Sequence, residues 1–271
     1  MPEPIQVSCL AFSASADMRA NATRIDAAIL EAAASGSRLL LTPECALVGY
    51  PGVSRVDLDQ VDWRAVASLE DQLAERANEA GIVLVLGTVS LHDGRPTNDA
   101  LVCGAVPHEQ RYLKRCLTPL DREHFIPGYE GIVFEILGWR FGLTICFDLR
   151  FPTVWADLAL GDADAFLSIA HMSGGDVDPG CKASVIPAHY ASRAAEWATP
   201  LLMCNTADDE RWVDTGLWDA RGICVASRGE GLIQMTLEPR ETHDPWYEQI
   251  RDEQLRLWRN RLRSVRMSGE W

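Results

Sequence analysis

What most constrains this chain is an alternation of short apolar runs and amphipathic helices that continues from residue 5 to residue 237 without a linker or a shift in composition. Strands are predicted over 5–12, 38–42, 82–89, 100–106 and 110–114 in the first half, and over 132–137, 140–145, 165–170, 201–204, 223–226 and 233–237 in the second. Helices are predicted over 18–35, 63–80, 152–160 and 184–198. The first is opened by Asp17 and closed by Gly36, and carries Ile25, Ile29 and Ala32 on one face. Asp93-Gly94 is a turn dipeptide. Strands alternating with helices, with no internal repeat, point to one layered α/β domain over residues 1–240.

Residues 241–271 differ. They read as a helix over 245–267 in which Arg251, Arg256, Arg259, Arg261, Arg263 and Arg266 form a basic stripe on an acidic protein. Two readings stay open: a solvated or salt-bridged cover of its own domain, or an arm that docks on the acidic surface of a second subunit.

Charge narrows the partners. A formal net charge of −14 argues against nucleic acid or an anionic membrane as the main partner. A local arginine can still bind a small anion. No apolar run approaches the roughly 20 residues that span a bilayer, and the N-terminus lacks the basic start and apolar stretch of a secretory signal. A cytoplasmic location is therefore expected, where most of the eight cysteines act as small buried hydrophobes. No cysteines form a C-x-x-C pair, and no histidines stand at a paired ligand spacing, so no metal is expected. Lys114 and Lys182 are the only lysines among 25 basic residues, which directs attention to what an ammonium does that a guanidinium does not.

Three chemically complementary residues stand just past predicted strands. Cys146 follows FGLTI, Glu44 follows RLLLT and a proline, and Lys114 ends QRYLK. The carboxyl end of a strand is where an α/β sheet presents reactive groups. A thiol there needs a base or a positive neighbour to act as a nucleophile. A desolvated carboxylate is a general base, and an ammonium stabilises an oxyanion. Each also has an ordinary reading: a packed cysteine, a solvated loop glutamate, an exposed strand terminus.

The segments LLLTPECALVGYP, RYLKRCLTP and GLTICFDLRFP resemble, in order and spacing, the three signature blocks of the nitrilase superfamily of carbon–nitrogen hydrolases. NDALV around Asn98 and SRAAEWATPLLMCNT, with Arg193 and Glu196, extend the likeness over roughly residues 5–238. The resemblance implies a single-domain four-layer α-β-β-α sandwich, no cofactor, and pairing of protomers into a homodimer or higher oligomer. It implies that Cys146 attacks an amide carbon and that Glu44 carries the protons. Lys114 and the backbone N–H of Phe147 would hold the oxyanion, and Glu123, from EHFIPG, would be the fourth member of the site.

Phe147 and Asp148 after the cysteine disfavour a true nitrilase, whose members carry tryptophan and glutamate there. CFDLRFP is most similar to the ω-amidase-like branch, which includes amidases of deaminated glutathione. Arg150 stands four residues past the nucleophile, placed either to pair with a substrate carboxylate or to make a structural ion pair with Asp148 or Asp157. Small-acid amidases usually carry an aromatic residue after the strand at 165–170, where this chain has His171 and Met172. The expected substrate is a small amide bearing a carboxylate. An N-carbamoyl hydrolase is the alternative, ahead of an acyltransferase or a non-catalytic binding protein of the same fold.

Overall fold

A computed structural model describes residues 2–174, 180–239 and 245–268, with 262–268 as backbone alone. Part of the predicted loop at 171–180, and the side chains of Arg263 and Arg266, lie outside the described residues.

The chain opens with β1 (Ile5–Ala11), α1 (Met18–Ala34), β2 (Leu39–Leu41), α2 (Trp63–Glu79), β3 (Val83–His92), β4 (Arg95–Gly104) and β5 (Gln110–Leu113). A one-turn helix α3 (Asp121–His124) precedes β6 (Val133–Ile136) and β7 (Trp139–Ile145). After a 3-10 turn over Cys146–Arg150 come α4 (Pro152–Leu160), β8 (Ala165–Ile169), α5 (Lys182–Trp197), β9 (Leu201–Cys204), β10 (Thr215–Trp218), β11 (Cys224–Arg228), β12 (Gly231–Leu237) and α6 (Pro245–Ser268).

These strands form two six-stranded sheets, ordered β12-β1-β2-β3-β4-β5 and β11-β10-β9-β8-β7-β6. Strand alternation assigns each side chain to a layer. In β2, Leu39 and Leu41 enter the core between the sheets, while Leu40 enters the core beneath α1 and α2. Val83 and Val85 against Leu84 and Leu86 repeat the division in β3. With α4 and α5 over the second sheet, the expected α-β-β-α sandwich results.

Local signals explain most element ends. The Asp17 carboxylate accepts from the N–H groups of Arg19 and Ala20, capping α1. Asp93 and Gly94 both have positive φ, 50° and 76°, as a tight two-residue hairpin requires. The β3–β4 ladder therefore runs to its tip at His92↔Arg95, and β4 begins five residues before the predicted 100, through the polar Thr97, Asn98 and Asp99. These polar residues are buried and bonded, which an apolar pattern does not reveal.

The tail helix docks on its own chain. Leu255 is buried, and Arg259 donates to the carbonyls of Ala159 and Leu160 at the end of α4, at 3.0 and 2.9 Å. Arg251 donates to the Trp197 carbonyl at the end of α5. Guanidinium groups thus meet the carbonyl-rich negative ends of two helices.

Candidate active site

The first sheet brings its strand ends together beneath the second. At the end of β2 the loop turns so closely that a Cβ on Gly87 would lie 1.8 Å from the Pro43 carbonyl oxygen, so only glycine fits there. Thr42 Oγ1 accepts from the Gly87 N–H at 2.9 Å, fixing the approach to Glu44. The Glu44 carboxylate then receives three donors: Lys114 Nζ at 2.6 Å and Asn98 Nδ2 at 2.8 Å on Oε1, and the His171 N–H at 2.9 Å on Oε2. Lys114 stands just past β5, its own N–H donated to the Asn98 carbonyl. Its ammonium also donates to Asp121 Oδ2 at 2.8 Å. Asp121 is held in turn by the Tyr50 hydroxyl at 2.7 Å and by the Thr118 N–H and hydroxyl, both at 2.8 Å. The side chains of Glu44, Lys114 and Asp121 are fully buried.

Cys146 comes from the second sheet. It follows β7 directly with φ of 47°, a left-handed conformation uncommon for a residue with a Cβ. The turn is stabilised from within by Asp148, which accepts from the Ile145 N–H at 2.9 Å, the Tyr112 hydroxyl at 2.7 Å and the Cys116 N–H at 2.8 Å. Arg193 on α5 grips the turn's far end through the Leu149 carbonyl and pairs with Glu196 at 2.7 Å. The thiol faces the Glu44 carboxylate and the His171 N–H.

The electrostatics follow from burial and neighbours. Burial, then the Glu44 charge, push the Cys146 thiol well above its ordinary pKa against the pull of Lys114, so at neutral pH it carries its proton. For Lys114, burial favours the neutral amine, but Glu44, Cys146, Tyr50 and Asp121 outweigh it and keep the ammonium. Burial raises Asp121, but Lys114 and the hydroxyl and amide donors hold it below the usual carboxylate range. Next to this cluster the His171 ring stacks on Tyr50, centroids 4.8 Å apart, with Nε2 at 3.1 Å from Asp208. That contact leads the groups that lower Asp208 to about 2.

Of the sequence-predicted residues, Glu44, Lys114 and Cys146 converge. Glu123 does not, and this is a correction: it is exposed, and the second carboxylate on Lys114, beside Glu44, belongs to Asp121. Two residues along α3 rotate the side-chain direction by about 200°, so when Asp121 points inward Glu123 points to solvent. Phe147 is half-buried and packs edge-on against Phe151. Arg150 pairs with neither expected aspartate: Asp157 binds Arg115 and Asp148 is held within the turn. Its Nη1 lies 3.3 Å from His189 Nε2 on α5. Sequence reasoning missed Asp121, Tyr50 and the His171–Asp208 pair. Thr118 three residues before Asp121, spaced to hydrogen-bond with it, was the available signal for the first.

Comparison with known proteins bears on the family and the fold. The carbon–nitrogen hydrolase family profile matches residues 6–242. The chain is 29% identical over 155 residues to hydrolase MT0498 of Mycobacterium tuberculosis, covering 54% of this chain and 53% of that protein. It is 33% identical over 131 residues to the omega-amidase YafV of Yersinia enterocolitica, covering 48% and 46%. The chain thus spans about half the length of the curated relatives it matches. The crystal structure of an amidase from Nesterenkonia sp. superposes with a TM-score of 0.76 over 94% of this chain and 96% of that one, at 23% identity, a likeness of fold. By the extent of the family match, residues 6–242 of 271, the chain belongs to the carbon–nitrogen hydrolase family.

Proposed function

We propose that the chain hydrolyses the C–N bond of a small amide through a thioester on Cys146. The observation that carries this reading is the buried meeting of a thiol, a carboxylate and an ammonium: Cys146 against Glu44, with Lys114 on the same carboxylate. As the sulfur attacks the amide carbon, the S–H bond breaks and its proton passes to Glu44. Lys114 has three N–H donors. Glu44 and Asp121 take two of them, and the third serves the developing oxyanion, together with the Phe147 N–H. Glu44 then protonates the leaving nitrogen as the C–N bond breaks. A water molecule then attacks the thioester while giving a proton to Glu44, and as the C–S bond breaks Glu44 returns that proton to the sulfur, restoring the thiol.

The name of the Yersinia relative, an omega-amidase, supports a substrate that bears a carboxylate. So does Arg150. Among the described residues no carboxylate pairs with it, and with Arg193 it forms a positive neighbourhood that, after burial, keeps the His189 pKa low. The test is ammonia release from ω-amides of dicarboxylic acids, N-carbamoyl acids and neutral aliphatic amides, with mass spectrometry of the trapped acyl adduct. Cys146→Ala should abolish release and adduct together; retained turnover rules the mechanism out. Arg150→Leu should lower kcat/KM for carboxylate-bearing amides by roughly 2–4 kcal/mol, and for neutral amides far less. A parallel fall in both would make Arg150 structural.

A further inference from the structure

We propose that Asn98 is the positioning residue that decides which oxygen of Glu44 receives and returns the proton, an inference that rests on the cysteine-hydrolase reading above. A carboxylate has about four lone-pair sites, two on each oxygen. On Glu44, both sites of Oε1 are engaged, by Lys114 Nζ and Asn98 Nδ2. Among the described residues Oε2 accepts from the His171 N–H alone, and that same N–H faces the Cys146 sulfur. The remaining site on Oε2 is therefore the one open to the thiol proton. In acylation, S–H breaks as S–C forms and the proton enters at Oε2. From there it goes to the leaving nitrogen as C–N breaks, and in deacylation a proton of water enters at the same oxygen.

Asn98 is built for this and for little else. It lies on β4 opposite Val89 and is 1% exposed. Its backbone carbonyl holds the Lys114 N–H while its side chain holds Glu44, so one residue sets both lysine and base. Its Oδ1 is buried and has no partner among the described residues. Rotating the amide would exchange Oδ1 and Nδ2, but would set an oxygen against the Glu44 carboxylate. The base thus dictates the amide's orientation, and an orphan acceptor is tolerated although such groups are costly. The ionisable groups facing Glu44, among the described residues, are Lys114, Cys146, Cys45, Tyr50 and Tyr190, with Asp121 beyond Lys114.

Alkylation by iodoacetamide, followed at the Cys146 peptide by mass spectrometry from acid to alkaline pH so that the exposed Cys181 and Cys224 are set apart, reads the proton transfer without the natural amide. Ammonia release from the amide panel reads turnover. Asn98→Ala should slow both roughly ten- to a hundredfold, with KM little changed. Asn98→Asp is the sharper variant, because it keeps the shape but places a second carboxylate against Oε1. It should be at least as slow at neutral pH and regain about tenfold as the pH falls, once the new acid holds a proton to donate. The wild type, which has no such acid at position 98, should show no such gain over the same descent. The assignment is overturned if Asn98→Ala stays within about twofold of wild type. It is overturned equally if Asn98→Asp shows no gain beyond wild type as the pH falls. Should Asn98→Ala fail to fold, Asn98→Asp decides alone. Cys146→Ala and Glu44→Gln run alongside: turnover in either sinks the cysteine-hydrolase reading, whereas their inactivity beside normal Asn98 variants sinks only the role of Asn98.

Discussion

Two buried charge clusters lie side by side on β4 and β5, and each sets one cation between two carboxylates. Arg111 bridges Glu70 on α2, at 2.6 Å, and Asp99, at 3.1 Å. Lys114, three residues on, bridges Glu44 and Asp121. Asn98 and Asp99 are neighbours on β4 whose side chains point to opposite faces. One therefore serves Glu44 and the other Arg111. The arginine side chain is 30% exposed, and its planar fork is spread across both acids. It braces α2 against the sheet. The lysine is fully buried, keeps one N–H beyond its two carboxylates, and stands next to a thiol. Formal charge does not separate a brace from a reaction site. Donor shape, unused hydrogen-bonding capacity and the nearest nucleophile do.

Exchanging the two cations tests that distinction with the largest expected effect. Lys114→Arg should lower turnover by about 10²–10³, despite conserving charge, because a guanidinium does not fit where a compact ammonium is enclosed. Arg111→Lys should leave turnover within a few-fold and reduce stability by about 1–3 kcal/mol in chemical denaturation. An active Lys114→Arg enzyme would mean that only net charge matters at that position.

A second comparison removes one carboxylate from each cluster. Glu44→Gln should abolish amide turnover and also lower the Cys146 pKa, since after burial the Glu44 charge is the main influence raising it. The ultraviolet absorbance of the Cys146 thiolate, read as the difference from Cys146→Ala, should then appear at lower pH than in the wild type. Glu70→Gln should leave that onset unchanged. An onset that moves upward in Glu44→Gln contradicts the electrostatic account.

The smallest effect is on acid stability, where the clusters act with opposite sign. Asp121 is held below its ordinary pKa, so its contribution is present above the unfolded carboxylate range and is lost as the pH falls through the lowered value. Asp99 is raised, burial outweighing Ser90 and Arg111, so its ionised form costs stability above that range and protonation relieves the cost. Unfolding measured over a pH series should show a shallower acid loss for Asp121→Asn and a steeper one for Asp99→Asn, each on the order of 1 kcal/mol. Equal slopes would remove the contrast.

Element boundaries were legible where the chain carries its own signal: Asp17 before α1, Gly36 after it, Asp93-Gly94 between β3 and β4. β10 escaped prediction because TGLW contains little apolar pattern, and its extended form depends on pairing with β9 and β11 on either side. The tail was legible as a basic helix but not as a docked one. What decides its place is where the carbonyl-rich ends of α4 and α5 lie, and the tail's own residues do not encode that.

By itself the sequence determined the layered α/β class, the family motifs, and the residues immediately beyond β2, β5 and β7. Strand periodicity and turn chemistry are local, and a residue just past a strand is carried to the sheet's edge whatever else the chain does. Only the tertiary structure decided that Asp121, and not Glu123, holds Lys114. Only it put Asn98 and the His171 N–H on the two oxygens of one carboxylate. Those choices depend on helix phase and on contacts between segments 54 and 127 residues apart. No local pattern specifies such contacts: the first exists only when β2, β3 and β4 pair in one sheet, and the second only when the two sheets close face to face.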